Sequence, residues 1–114
     1  MIPFYDSEFI RYFREMQDRV HQNAVDKGFW EDSRSDGEAI ALIHSEISEA
    51  LEALRHGNPF DEKCPAFYNV EVELADTVIR IMDLAAARGW GVTGAIVAKA
   101  AHNQTRPHKH GKQF

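Results

Sequence analysis

Apolar residues recur at helical spacing along almost the whole chain, and this periodicity limits the fold more than any other feature of the sequence. Near the N-terminus, intervals of three and four predict an amphipathic helix that follows Asp6, a candidate N-cap, and ends near Gly28. Its expected apolar side contains Phe9, Phe13, Met16 and Val20. No window alternates apolar and polar residues for long enough to predict a β-strand.

Three further helices are predicted. Ser35 and Glu38 form a capping-box pattern at the start of the second helix, and Gly57 marks its end. The third helix is expected over residues 69–88 and a short fourth one over residues 93–104. Their expected apolar sides contain Ile40, Ile43, Ile47, Ala50, Leu51 and Leu54, then Leu74, Val78, Ile81, Met82 and Ala85, and finally Ile96, Val97 and Ala100. The sequence predicts an all-α, four-helix arrangement, three longer helices plus a short C-terminal one, in a single domain over residues 1–114.

Chain length and composition predict how the protein associates and in which compartment it occurs. At 114 residues with 44% apolar content, the chain can build a core but leaves much of its surface uncovered, which favours self-association. Cys64 is its one cysteine, so no internal disulfide is expected. No signal-peptide pattern and no apolar run of about 18 residues occurs. We expect a soluble, cytoplasmic protein.

Charge is divided unevenly along the chain. Residues 1–83 hold all 18 acidic residues and eight basic ones, a balance of −10, whereas residues 84–114 hold five basic residues and no acid. A basic tail after an acidic body has three interpretations: it binds nucleic acid, it closes over an anionic ligand held by metals, or it is a solvated end.

Two pairs of carboxylates stand at the borders of apolar helix sides. Glu46 and Glu49 lie one turn apart on the second helix, and Glu73 and Asp76 lie one turn apart on the third. Spacing alone is equally typical of solvated surface charge. A carboxylate beside the buried side of a helix, however, costs free energy of desolvation unless its charge is neutralised. Carboxylate oxygens bind magnesium, manganese or calcium in preference to zinc.

The order of these motifs resembles that of a known family. A helix with E-E-x-x-E followed by a helix with E-x-x-D is the signature of the MazG-like all-α nucleoside triphosphate pyrophosphatase superfamily. Here the first motif reads Ser45-Glu46-Ile47-Ser48-Glu49 and the second reads Glu73-Leu74-Ala75-Asp76, with Ser45 at the position of the family's leading glutamate. The resemblance implies metal ligation by Glu46, Glu49, Glu73 and Asp76.

The ending of the chain also resembles this family, with the pattern K…N..R…HGK over residues 99–112. The resemblance implies phosphate and sugar contacts from Lys99, Asn103 and Arg106, and extends less directly to Lys112. Trp30 is either a base-stacking residue or a plain core residue.

The resemblance implies hydrolysis of a nucleoside triphosphate to the monophosphate and pyrophosphate with Mg²⁺, or Mn²⁺ as a substitute. Glu46 and Glu49 are the expected catalytic carboxylates, with Glu49 as proton acceptor, and the resemblance also implies a homodimer or homotetramer. Two alternatives stay open: a narrower dUTP- or dCTP-type pyrophosphatase with the same carboxylates, and a non-enzymatic helical module that binds nucleic acid or a protein partner.

Overall fold

The computed structural model describes residues 4–113, with side chains from residue 6 onward. Its helices are α1 (Phe4–Asp26), α2 (Asp36–Arg55), α3 (Asn69–Arg88) and α4 (Val92–Gln104), followed by a 3-10 turn at His108–Gly111. No strand occurs over residues 4–113, where one isolated antiparallel bridge is formed, between Phe60 and Tyr68. The predicted all-α, four-helix fold is confirmed. None of the described helices is long and apolar enough to cross a membrane.

The helix ends follow local signals in the sequence. The Ser35 hydroxyl accepts a hydrogen bond from the Glu38 backbone N–H at 3.1 Å, which caps α2 and forms the serine half of the predicted capping box. Gly89 ends α3 with a φ of 69°, a left-handed conformation that a residue without a Cβ adopts at little cost. Asp6 was expected as the cap of α1 but lies inside its first turn.

Helix α3 lies at the centre of the fold, because it packs against both α1 and α2, while α4 contacts α1. At one end of the α2–α3 pair, Arg88 forms an ion pair with Asp36, Nε to Oδ1 2.6 Å. At the other end, Asn58 Oδ1 accepts a hydrogen bond from the Val70 backbone N–H at 2.8 Å. Helices α2 and α3 therefore run antiparallel.

The side of α2 that faces the core differs from the predicted one. The buried residues of α2 are Ala39, Ala50 and Ala53, of which only Ala50 was expected. Four residues of the predicted apolar side are instead 45–56% exposed, and we call them the α2 apolar stripe: Ile40, Ile47, Leu51 and Leu54. At about 100° per residue, the alanine side and the stripe lie about 100° apart around the helix. Small side chains permit a close approach of two helices, so α3 packs along the alanines and leaves the stripe uncovered.

Similar shifts occur on the other two long helices. On α3, Met82 and Ala85 are buried as predicted, whereas Leu74 and Val78 are exposed. On α1, the predicted residues Phe9 and Met16 are exposed, and Gln17 is buried in their place. The lists of buried residues were thus partly wrong, because helical periodicity identifies an apolar side without specifying which neighbour covers it.

Candidate metal centre

Three carboxylates from two helices meet between α2 and α3. Glu46, Glu73 and Asp76 each place one carboxylate oxygen within 4.8 Å of the others, and all three residues are half-buried. We call this group the acidic cluster. Glu46 reaches it because positions 46, 50 and 53 share one side of α2, the side on which the buried alanines face α3.

An arginine already lies on this cluster. Arg80, one turn after Asp76 on α3, donates from Nε to Oε1 of Glu46 at 2.7 Å. The Glu46 side chain is only 16% exposed, and that of Arg80 is 40% exposed. The guanidinium therefore neutralises part of the cluster while keeping one side open to solvent.

Electrostatic repulsion in the cluster shows in the acidities of its members. Burial raises the pKa of Glu73, and the negative charges of Asp76, Glu46, Glu49 and Asp61 raise it further. Burial also raises the pKa of Asp76, followed by the charge of Glu46, although Arg80 and Lys63 act in the opposite direction. One guanidinium thus does not offset the accumulated negative charge of the ionised cluster.

The arrangement fits a hard divalent cation. All the converging donors are oxygens, which is the ligand type that magnesium, manganese and calcium prefer. Opposite ligands of a magnesium ion lie about 4.2 Å apart at a bond length of about 2.1 Å, so oxygens within 4.8 Å of one another need only a small side-chain adjustment. Water or phosphate oxygens would complete the coordination.

A cavity of about 530 Å³ adjoins the cluster between α1, α2 and α3. Its acidic end includes Glu46 and Asp76, and three arginines reach it: Arg19, Arg34 and Arg80. The remaining lining is largely apolar, from Met16, Val20, Ala24, Phe29 and Ile79, together with the polar residues Asn23 and Asp83. The volume falls within the range typical of small-molecule sites.

Trp30 is fixed by hydrogen bonds beside this cavity. Its indole Nε1 donates to both carboxylate oxygens of Asp83, at 3.0 and 3.1 Å, and His21 Nδ1 lies 2.8 Å from Oδ1 of the same carboxylate. The guanidinium carbons of Arg34 and Arg88 lie 5.2 and 5.6 Å from the centre of a Trp30 ring. The tryptophan thus helps to anchor the loop after α1 onto α3, and its ring contacts arginines within the protomer.

The other residues predicted for the site lie apart from the group of three. Glu49 is exposed one turn beyond Glu46 and acts on the cluster through its charge on Glu73. Lys99, Asn103 and Lys112 are exposed on α4 and the segment after it. Arg106 is half-buried and donates from Nη2 to the His110 carbonyl at 3.4 Å. Among the described residues, neither the acidic cluster nor the lining of the cavity beside it includes Lys99, Asn103, Arg106 or Lys112.

Two residues that act on the cluster, Asp61 and Lys63, were not predicted as site residues from the sequence. Asp61, in the connection between α2 and α3, is buried and accepts backbone hydrogen bonds from Lys63 and Cys64 at 2.9 and 2.8 Å. Its charge raises the pKa of Glu73 and Asp76, while Lys63 lowers that of Asp76. An aspartate in a loop between prolines resembles any turn residue, so no local signal distinguishes it.

Comparison of the chain with known protein families, with curated proteins and with solved structures gave no match.

Because the folded state raises the pKa of Glu73 and Asp76, ionisation of these groups at neutral pH opposes folding. Glu73→Gln and Asp76→Asn should each raise the melting temperature of the metal-free protein at pH 7. The expected gain is about 1–5 °C, since partly exposed charge pairs are worth about 0.2–1 kcal/mol and 1 kcal/mol shifts a domain of this size by about 4–6 °C. Thermal denaturation in the presence of a chelator measures this change in melting temperature.

The matched control is Glu15→Gln, because Glu15 is exposed on α1 and has the same spacing to Asp18. It should leave the melting temperature almost unchanged. The gain in melting temperature of Glu73→Gln and Asp76→Asn should shrink as pH falls towards 4, where the carboxylates protonate in the unfolded chain as well.

Magnesium should raise the melting temperature of the wild type but not that of the Asp76→Asn variant. A wild-type melting temperature that millimolar magnesium does not change would contradict a metal centre here.

Proposed function

We propose that this protein is a magnesium-dependent nucleoside triphosphate pyrophosphohydrolase of the MazG-like kind, which converts a (deoxy)nucleoside triphosphate into the monophosphate and pyrophosphate. The observation that carries the proposal is the convergence of Glu46, Glu73 and Asp76, from two antiparallel helices, at the acidic end of a cavity of about 530 Å³. We further propose that it acts in the cytoplasm on the nucleotide pool.

The role proposed for each part of the site follows from the charge of its residues. Magnesium ions, when bound, neutralise phosphate oxygens and lower the pKa of a water molecule. Glu46, Glu73 and Asp76 would hold them, and Glu49, exposed one turn away, would accept the proton of the water that attacks the α-phosphorus. The bond between the α-phosphorus and the bridging oxygen would break, and pyrophosphate would leave. The largely apolar remainder of the cavity, with Phe29 and Ile79, takes the nucleoside.

The basic tail and the uncovered apolar surface both support an assembly of several copies. The α2 apolar stripe is 45–56% exposed, and α2 packs mainly on a single neighbour, α3. Exposed apolar residues in a row along one helix side are typical of protein–protein contacts. We propose a homodimer or homotetramer in which Lys99, Asn103, Arg106 and Lys112 of one copy approach the phosphates bound by another.

The test of activity is a screen of the common nucleoside and deoxynucleoside triphosphates with magnesium, in which pyrophosphate and orthophosphate are scored separately. Pyrophosphate release from dUTP or dCTP alone would identify the narrower enzyme.

Glu49→Gln should lower kcat by about a hundredfold or more, because a general base contributes about 10²–10⁴-fold. Asp76→Asn should act similarly through weaker metal binding, and Glu15→Gln should keep wild-type kinetics. Full activity of Glu49→Gln would remove Glu49 from the mechanism.

The role of the tail is tested by Arg106→Ala. Loss of one charge-assisted phosphate contact should lower kcat/KM by about ten- to a hundredfold without changing the stabilisation by magnesium. Lys112→Ala should have a smaller effect. A nucleic-acid-binding module would behave differently: both variants would weaken DNA or RNA binding by similar amounts, its affinity would fall steeply with salt, and neither variant nor wild type would release pyrophosphate.

The assembly is tested on the α2 apolar stripe. Leu51→Glu should convert the wild-type oligomer into a monomer, since a buried, unpaired carboxylate opposes association. Sedimentation velocity or light scattering at micromolar concentration gives the mass. Ser48→Glu adds the same charge to an exposed position about 90° away from the stripe and should leave the mass unchanged. A monomeric wild type, or equal dissociation in both variants, would refute the stripe as the interface.

A further inference from the structure

The contact between Arg80 and Glu46 joins the acidic cluster to the cavity. The Glu46 carboxylate accepts from Arg80 Nε at 2.7 Å and also belongs to the acidic cluster, and Arg80 itself lines the cavity. A guanidinium in this position occupies the same region of negative potential that attracts a divalent cation. The two cations therefore compete for one carboxylate.

Arg80 has room to move away from Glu46. Its side chain is 40% exposed, and the cavity beside it has a volume of about 530 Å³. Arg19 and Arg34 line the same cavity as Arg80, so release from Glu46 would leave the Arg80 guanidinium without its carboxylate partner beside two other positive groups. With the carboxylates neutralised by a metal, the cavity would change from mixed charge to net positive charge and favour an anion.

We propose that Arg80 is the resident counter-cation of Glu46, which a divalent cation displaces, and that the displaced guanidinium then binds the anionic group of the ligand in the cavity. Arg80 thereby makes anion binding conditional on cation binding. This inference rests on the metal centre of the proposed function, but not on the identity of the substrate.

The proposal predicts effects of opposite sign in one variant. Arg80→Gln should lower the melting temperature of the metal-free protein, because the carboxylates lose their counter-charge. It should also tighten magnesium binding by about three- to tenfold, as expected when a unit positive charge within about 6 Å of a divalent ion is removed at physiological salt. At saturating magnesium, inorganic pyrophosphate should bind about tenfold more weakly.

The measurements are calorimetric titrations of the full chain with magnesium chloride at constant ionic strength, then with pyrophosphate at saturating magnesium, beside thermal melts in chelator. Arg80→Lys retains the charge without the planar fork, so its magnesium affinity should stay within about twofold of wild type while pyrophosphate binding weakens. Wild type without metal should not bind pyrophosphate measurably.

Arg88→Gln is the matched control, because it breaks a similar ion pair, Arg88 to Asp36 at 2.6 Å, on the same two helices but away from the cluster. It should lower the melting temperature and leave magnesium affinity unchanged. Unchanged or weaker magnesium binding in Arg80→Gln would overturn the inference alone. Absence of magnesium binding in every variant would overturn both the inference and the proposed function. If Arg80→Gln lowers the melting temperature and tightens magnesium binding as expected, but the protein releases pyrophosphate from no nucleotide, only the proposed function is overturned.

Discussion

The close approach of α2 and α3 is the contact on which the rest of the structure depends. Ala39, Ala50 and Ala53 form the buried side of α2, and their small size lets the helices pack tightly. Glu46 lies on this same side, so the contact that buries the alanines also brings its carboxylate to Glu73 and Asp76. Packing and repulsion therefore arise from one interface, where the Arg80 guanidinium offsets part of the negative charge.

Helix α1 adds the third wall of the site. His21 and Trp30 both contact Asp83, a half-buried carboxylate on α3 about two turns beyond Asp76. This contact fixes the end of α1 and the following loop against the central helix, where they line an open cavity beside the acidic cluster. The cavity is lined by arginines and by carboxylates, so the site carries both signs of charge.

The protomer leaves a large part of its apolar surface uncovered. Leu51 and Leu54 on α2, with Leu74 and Val78 on α3, are about half exposed, because each helix uses its other sides for contacts within the chain. Helix α4 extends from α1 with its basic residues in solvent. The proposed homodimer or homotetramer would cover these apolar sides and bring the tail of one copy towards the site of another.

The sequence by itself determined the elements: the helical periods, the cap at Ser35, the end of α3 at Gly89, and the two carboxylate pairs, since each depends on residues within about a turn of one another. Only the tertiary structure decided that α2 turns its alanines rather than its isoleucines and leucines towards α3, that Arg80 pairs with Glu46 across 34 positions, and that Asp61 lies close enough to influence the cluster. The physical reason is that periodicity fixes the direction of a side chain around its own helix, whereas its partner depends on the distance and rotation at which whole helices pack.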